Sequence, residues 1–299
     1  MKTLKYFVLG IIIVIIIFSC GSRTSRINQQ QSVVLQSTGS TDKSQLSSSK
    51  EIISTRLKAI YINDFSITQD NEKSQLIISL SDTLNVSDFS DLFTQRGEVY
   101  FSQSTDNQSV WSKLKKLDSR LLLADNTSAE TMLSMIQSNP ELHHSPAVIG
   151  LVNARDTALV SKCLKSESIK SLLPEVRFAW GKWADSAQHY QLYALNVQTS
   201  IDGRLIKEAS VSTSGSFDIE IKLSFNSEGS SLWKDLTTKS IGKPVAMIIN
   251  GKVYSAPIVR SVINNGNCII TGNYTGMEAN NLVAMIKSGA LPVSFKLVK

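Results

Sequence analysis

Ile241-Gly242-Lys243-Pro244-Val245-Ala246-Met247-Ile248-Ile249-Asn250-Gly251-Lys252-Val253-Tyr254-Ser255-Ala256-Pro257 is a strand-rich run broken by Asn250-Gly251. That dipeptide accommodates the positive φ angles of a type I′ turn, so 245–249 and 252–254 read as the two arms of a hairpin. Asn265-Gly266 marks a second hairpin downstream. Thr275-Gly276-Met277-Glu278 then reads as a capping box, with Ala279, Leu282, Val283 and Ile286 on one helical face. Gly289 suits the stop of that helix, and Pro292 prevents its resumption. Hairpins followed by a capped helix point to an α+β chain.

Working back from this stretch, a helix carries Leu232, Trp233 and Leu236, and strands are expected near 207–213 and 217–225. Farther back, 147–152, 176–180 and 190–197 read as strands and 155–165 as a helix, while 169–173 is stopped by Pro174. Residues 106–145 are polar, with one helix predicted at 128–138 before Pro140. Nearer the N-terminus, Ile52, Ile53, Leu57 and Ile60 share a helical face. Phe65 with Ile67, and Leu76 with Ile78 and Leu80, alternate at the strand period. Val86, Phe89, Leu92 and Phe93 repeat the helical spacing, and Val99 and Phe101 alternate again. With an edge strand at 32–36 the order becomes β-α-β-β-α-β, the ferredoxin-like pattern. Residues 106–145 read as an inserted region, and a second α+β unit follows it.

The 299 residues carry 31 basic and 25 acidic side chains, a net charge of +6, with 42% hydrophobic and 19% charged residues. Such a chain is globular, and nothing concentrates its basic residues into a tract that would make nucleic acid a partner. Three cysteines exclude a disulfide scaffold, and three histidines leave little room for a histidine-built metal site.

Lys2 and Lys5 precede an apolar run over 6–18 that is shorter than the ~20 residues a spanning helix needs. It reads as a signal sequence over 1–19. Residues 21–50 are dominated by Ser, Thr, Gln, Asn and Gly, and from 20 to 50 the chain is expected to be mostly a flexible tether.

No nucleophile elbow, zincin, phosphate-loop or Cys-x-x-Cys motif is present. No catalytic residue, cofactor, metal or small-molecule substrate is therefore expected. His143 and His144 read as a solvated loop more readily than as a metal site, and His189 as an exposed residue before a strand. Cys163 and Cys268 read as small buried hydrophobes, with a mutual disulfide as the alternative. Trp111, Trp180, Trp183 and Trp233 fit either a core or the lining of a peptide groove.

Ile17-Phe18-Ser19-Cys20-Gly21 resembles a bacterial lipobox, which implies acylation at Cys20 and attachment to a membrane through lipid; an ordinary cleaved signal or a short anchor are the alternatives. Residues 241–257, then Ile270-Thr271-Gly272-Asn273-Tyr274-Thr275 with Glu278-Ala279, then Ser288-Gly289-Ala290-Leu291-Pro292, are similar to the first periplasmic domain of SecD and of fused SecDF. Upstream, Val148-Ile149-Gly150, Asp156-Thr157-Ala158, Leu173 to Trp180 and Tyr190 to Leu195 resemble the Bacteroidetes-type version, and Arg56 and the 65–80 hairpin sit where that family has its base. The resemblance implies a ferredoxin-like base over 51–105, with added strands at 32–36 and 293–298, and an inserted, movable α+β head over 106–292 that engages polypeptide leaving the Sec channel. Residues near 102–110 and Gly289 to Val293 would link the two, with Gly289 and Pro292 at a hinge; a purely structural helix cap is the alternative for Gly289.

Asn250 stands where the family usually has aspartate, preserving the turn with Gly251 but removing a charge. The family continues past this motif into proton-conducting membrane helices, whereas no apolar run of spanning length follows here. The expectation is thus a lipid-held, periplasm-facing lipoprotein of the cell envelope, non-enzymatic, binding exported polypeptides or Sec components. The alternative is a structural or assembly lipoprotein that reuses the scaffold to bind another envelope component.

Overall fold

The computed structural model describes residues 30–39, 41–81, 83–138, 146–214, 218–272 and 274–298. Residues 1–19, expected from sequence to be a signal sequence, Cys20 and the His143-His144 pair lie outside them.

The base opens with β1 (Gln30–Ser37), α1 (Lys43–Ala59), β2 (Phe65–Asp70) and β3 (Gln75–Ser81). The chain then passes through α2 (Asp91–Thr94) into β4 (Val99–Gln103), α3 (Asn107–Leu114), β5 (Leu122–Ala124), β6 (Thr127–Ser128), α4 (Ala129–Ser134) and β7 (Val148–Asn153). Next come α5 (Thr157–Leu164), α6 (Glu167–Leu172), β8 (Val176–Ala184), β9 (His189–Asn196) and β10 (Ile201–Asp202). The last stretch holds β11 (Ile206–Ser214), β12 (Asp218–Phe225), α7 (Ser227–Lys239), β13 (Val245–Ile249), β14 (Lys252–Ser255), β15 (Asn267–Thr271), α8 (Gly276–Ser288) and β16 (Phe295–Val298).

The chain is α+β, and its base sheet has the order β16-β1-β3-β2 with every neighbouring pair antiparallel. This is a β-α-β-β-α-β unit whose second helix is α8 and whose fourth strand is β16. Two expectations are corrected. The 86–93 segment and the 99–101 strand do not complete the base: β4 pairs with β13 in a seven-stranded sheet. The helix over 276–288, placed in the head from sequence, packs on α1 and belongs to the base. Local periodicity is the same in either arrangement, because strand pairing across some two hundred intervening residues leaves no local mark.

The flexible tether expected over 20–50 is corrected from residue 30 onward. Residues 30–37 are a strand and α1 begins at Lys43, with Asp42 and Gln45 forming a reciprocal capping box. The buried face of α1 holds Leu46, Ser49, Ile53, Arg56 and Leu57. Two polar residues on that face, and a serine-rich first half, obscure the helical pattern.

Three further sheets build the head, the smallest being the β5-β6 pair. Of the larger two, one has the order β10-β4-β13-β14-β8-β9-β7; the other, β11-β12-β15, packs on α8. A single core runs from Leu35, Ile53 and Leu76 of the base to Ile221, Trp233 and Phe101, where Phe101 meets Trp233 edge-on at 5.2 Å. A separate cluster, including Val110, Leu114, Ile149, Val160 and Leu192, closes the far part of the head. Across the seven-stranded sheet, β14 and β8 share only the pairs Lys252 with Trp180 and Val253 with Gly181.

Candidate functional site

The head encloses an open groove of about 1160 Å³ bounded by α3, the start of β7, the Leu173–Val176 turn and the Gly242–Pro244 segment. Asp106 caps α3 by accepting from the amides of Gln108 and Ser109, which fixes the helix start at the groove wall. The next residue, Asn107, donates from Nδ2 to the carbonyls of Pro146 at 2.5 Å and Val148 at 2.9 Å. Its Oδ1 is buried and accepts no hydrogen bond among the described residues. One turn on, Trp111 lies against the groove with Nε1 donating to the Ile149 carbonyl at 2.7 Å and Lys115 Nζ 5.8 Å from its ring centroid. The opposite wall carries Glu175, which pairs with Lys113 at 2.9 Å; that ammonium holds the carboxyl below its ordinary range. The lining mixes apolar side chains such as Val148, Ile149 and Leu173 with polar ones such as Ser104, Asn196 and Lys243, beside the one aromatic face of Trp111.

The other tryptophans divide between packing roles and a second cavity. Trp233 is core, Trp180 is half-buried with Nε1 donating to Ser161 Oγ at 2.8 Å, and Trp183 stacks edge-on against Tyr254 and Tyr274. Cys163 and Cys268 are both free, so the disulfide alternative is not realised; burial pushes the Cys268 thiol up to about 12. His189 Nδ1 lies 3.4 Å from Asp185. Among the described residues no group of His, Cys, Asp and Glu is placed to hold a metal ion.

Asn250 and Gly251 occupy the hairpin turn with φ of 50° and 76°. The side chain does more than permit the turn: Asn250 Oδ1 accepts from the amides of Gly97 at 2.7 Å and Glu98 at 3.2 Å. Gly289 ends α8 with φ 79°. Two residues on, Leu291 donates to the Arg96 carbonyl at 2.7 Å, and Arg96 Nε donates back to the Leu291 carbonyl at 3.0 Å. The chain therefore crosses between base and head at 95–98 beside 289–291. Both crossings expected from sequence are corrected: Ser102 and Gln103 are internal to β4 and 107–114 is helix, while Gly289 to Val293 joins α8 to β16, both of the base. Pro292 lies half-buried between Leu291 and β16.

Arg56 unites these segments. It is fully buried, and from α1 it donates to the carbonyls of Leu92, Gln95, Arg96 and Gly289 and to Ser288 Oγ, at 2.7–3.0 Å. Gly97 has φ 81°, and a Cβ there would fall 2.5 Å from Arg56 Nη2, so the guanidinium and this glycine require one another.

Residues 180–293 match the family model described as SecDF, P1 head subdomain. The chain carries a SecD/SecDF-type periplasmic domain. It is 29% identical over 197 residues to protein translocase subunit SecD of Rhodothermus marinus, covering 59% of this chain and 32% of that protein. It is 39% identical over 99 residues to SecD of Leptotrichia buccalis, covering 33% and 24% of the two chains. The chain thus spans a quarter to a third of the length of these SecD relatives. A solved structure of SecDF, described as a membrane component that enhances protein export, aligns at a TM-score of 0.52 and 17% identity over 90% of this chain and 98% of that one. SecDF in a super-membrane-facing form aligns at 0.53 and 18% identity over 90% of this chain and 29% of the other. At such identity these two establish the shared fold. No described helix is long and apolar enough to cross a membrane.

Sequence reading did not find Asn107, the Arg56 hub or the clustering of Trp183 with Tyr254 and Tyr274. Asp106-Asn107 before an apolar helical face was the one available signal for the first.

Proposed function

We propose that this chain is a non-enzymatic, periplasm-facing accessory of protein translocation, held to a membrane through lipid on Cys20, whose head groove holds extended segments of exported polypeptide. The observation that carries the reading is the groove beside Trp111, with the buried Oδ1 of Asn107 left without a donor among the described residues. A backbone N–H of an extended chain would supply that donor, and an unmade buried bond costs about 1–3 kcal/mol. The export-enhancing role stated for the SecDF of similar fold supports the placement in translocation. In this reading Gly289 and Pro292 border the pivot about which the head moves.

The test is fluorescence anisotropy of a labelled unstructured peptide titrated with the purified chain. Saturable binding that weakens about tenfold in Trp111→Ala is expected, the loss typical of a buried aromatic anchor. Absence of binding to the unsubstituted protein, or equal binding by the variant, would contradict the reading.

A further inference from the structure

A second cavity, of about 220 Å³, lies where head strands meet the base helix α8. Its wall is an aromatic trio: the Trp183 ring stands edge-on to Tyr254 at 5.5 Å and to Tyr274 at 5.4 Å, while the two tyrosines stack 6.5 Å apart. Asp88, Asp91 and Glu278 line the same cavity, against one ammonium, Lys182. The remaining polar lining, including Ser87, Ser90 and Asn281, is neutral.

We infer that this cavity is a binding site for a primary alkylammonium group, distinct from the polypeptide groove. Four observations converge on that chemistry. Aromatic faces attract a cation through their quadrupoles, most strongly where water is excluded. The field is negative: the charges of Asp91 and Glu278 add to desolvation in raising the Tyr254 hydroxyl, and Glu278 acts likewise on Tyr274. Tyr274 is only 8% exposed, yet its hydroxyl has no hydrogen-bond partner among the described residues. An ammonium is a pure donor and would satisfy that oxygen.

The fourth observation is that the protein's own cation already leans toward the site. Lys182 Nζ lies 5.6 Å from the Tyr254 ring centroid and 4.0 Å from Asp91 Oδ2. That spacing is too long for a close ion pair, and the side chain keeps 27% of its exposure. Lys182 therefore acts as a weakly held competitor. The space equals about seven water molecules at ~30 Å³ each, enough for a four-carbon chain with its ammonium. Leu282 and Met285 offer apolar contact to the methylenes, as for a snorkelling lysine stem.

The chemistry belongs equally to a lysine side chain of a polypeptide and to a free amine. The experiment is calorimetric titration of the full purified chain with n-butylammonium, with n-butanol as the neutral control, followed by a capped lysine peptide and its norleucine counterpart. Saturable binding of butylammonium but not butanol is expected. Lys182→Gln should tighten it about three- to tenfold by removing the competitor, and Tyr274→Phe, which retains the ring, should weaken it by a similar factor. A lysine peptide binding more tightly than butylammonium identifies a polypeptide as the source, and equal or weaker binding identifies a free amine; both support the ammonium site. No binding to either the parent chain or Lys182→Gln, or equal binding of butanol, would overturn it. Circular dichroism of each variant separates loss of the site from loss of the fold.

Discussion

Arg56 Nη2 donates to the carbonyl of Gly289 at 2.8 Å, joining the last turn of the first helix to the residue that ends the last. All five contacts of this side chain are to carbonyls or a hydroxyl, and none is to a carboxylate. Burial lowers its pKa to about 10, so it remains charged at neutral pH with neutral dipoles as its partners. The base therefore depends on a geometric fork, for which a point-charge ammonium is a poor substitute.

Arg56→Met should destabilise the chain by about 3–5 kcal/mol, because buried acceptors lose their donors together. Arg56→Lys should cost less but remain clearly destabilising. Urea denaturation followed by circular dichroism measures both, and near-neutral behaviour of the methionine variant would refute the hub.

Asn250 combines a φ of 50° with acceptance from two amides of the crossing strand. Asn250→Ala loses the bonds and strains the turn, and should cost about 1–3 kcal/mol. Asn250→Asp keeps the acceptor oxygen and should lie within about 1 kcal/mol of the parent protein. Equal losses in the two variants would show that the side-chain oxygen is not what matters.

Gly289 has open space where a Cβ would stand, so Gly289→Ala meets no clash and only backbone strain at φ 79° and ψ 179°. A loss of about 1–3 kcal/mol is expected. Thermal denaturation checks this, and an unchanged midpoint would remove the conformational requirement, whether as cap or as pivot.

Glu175 has its pKa lowered by Lys113, so the folded state holds this carboxylate more readily than the unfolded chain does. The pair contributes above the ordinary glutamate pKa, and its contribution fades as the pH falls through the lower folded value. Lys113→Ala should thus be slightly less stable than the parent at pH 7 and converge with it in acid. Stability curves at successive pH values decide this, and a difference independent of pH would exclude the pair as its cause.

Cys20→Ala should release the protein from the membrane fraction and abolish incorporation of radiolabelled palmitate, since two or more acyl chains are what give stable anchoring. Retention in the membrane by the variant would assign the anchor to the apolar run over 6–18.

Elements with strong local chemistry were readable before the structure. The turn at Asn250-Gly251, the capping box from Thr275 to Glu278 and the stop at Gly289 all depend on neighbours in sequence, and each is found where the residues place it. What escaped depends on distant partners. The α8 helix was legible as a helix, but not as the second helix of the base, because its contact with α1 joins opposite ends of the chain. Val99 and Phe101 alternate correctly for a strand of either sheet, and only pairing with Met247 and Ile249 decides between them. The Asn107 oxygen and the Tyr274 hydroxyl carry no sequence signal, since an unmet hydrogen bond is defined by everything around it.

Exported polypeptide is proposed to lie in the head groove. A photo-crosslinking amino acid at Gln108, exposed at the groove wall, against the same group at Leu297, 42% exposed on the base sheet, tests it most directly in cells secreting a stalled precursor. An adduct with the precursor is expected from Gln108 and none from Leu297. Adducts of equal yield from both sites, or none from Gln108 while secretion proceeds, would contradict it.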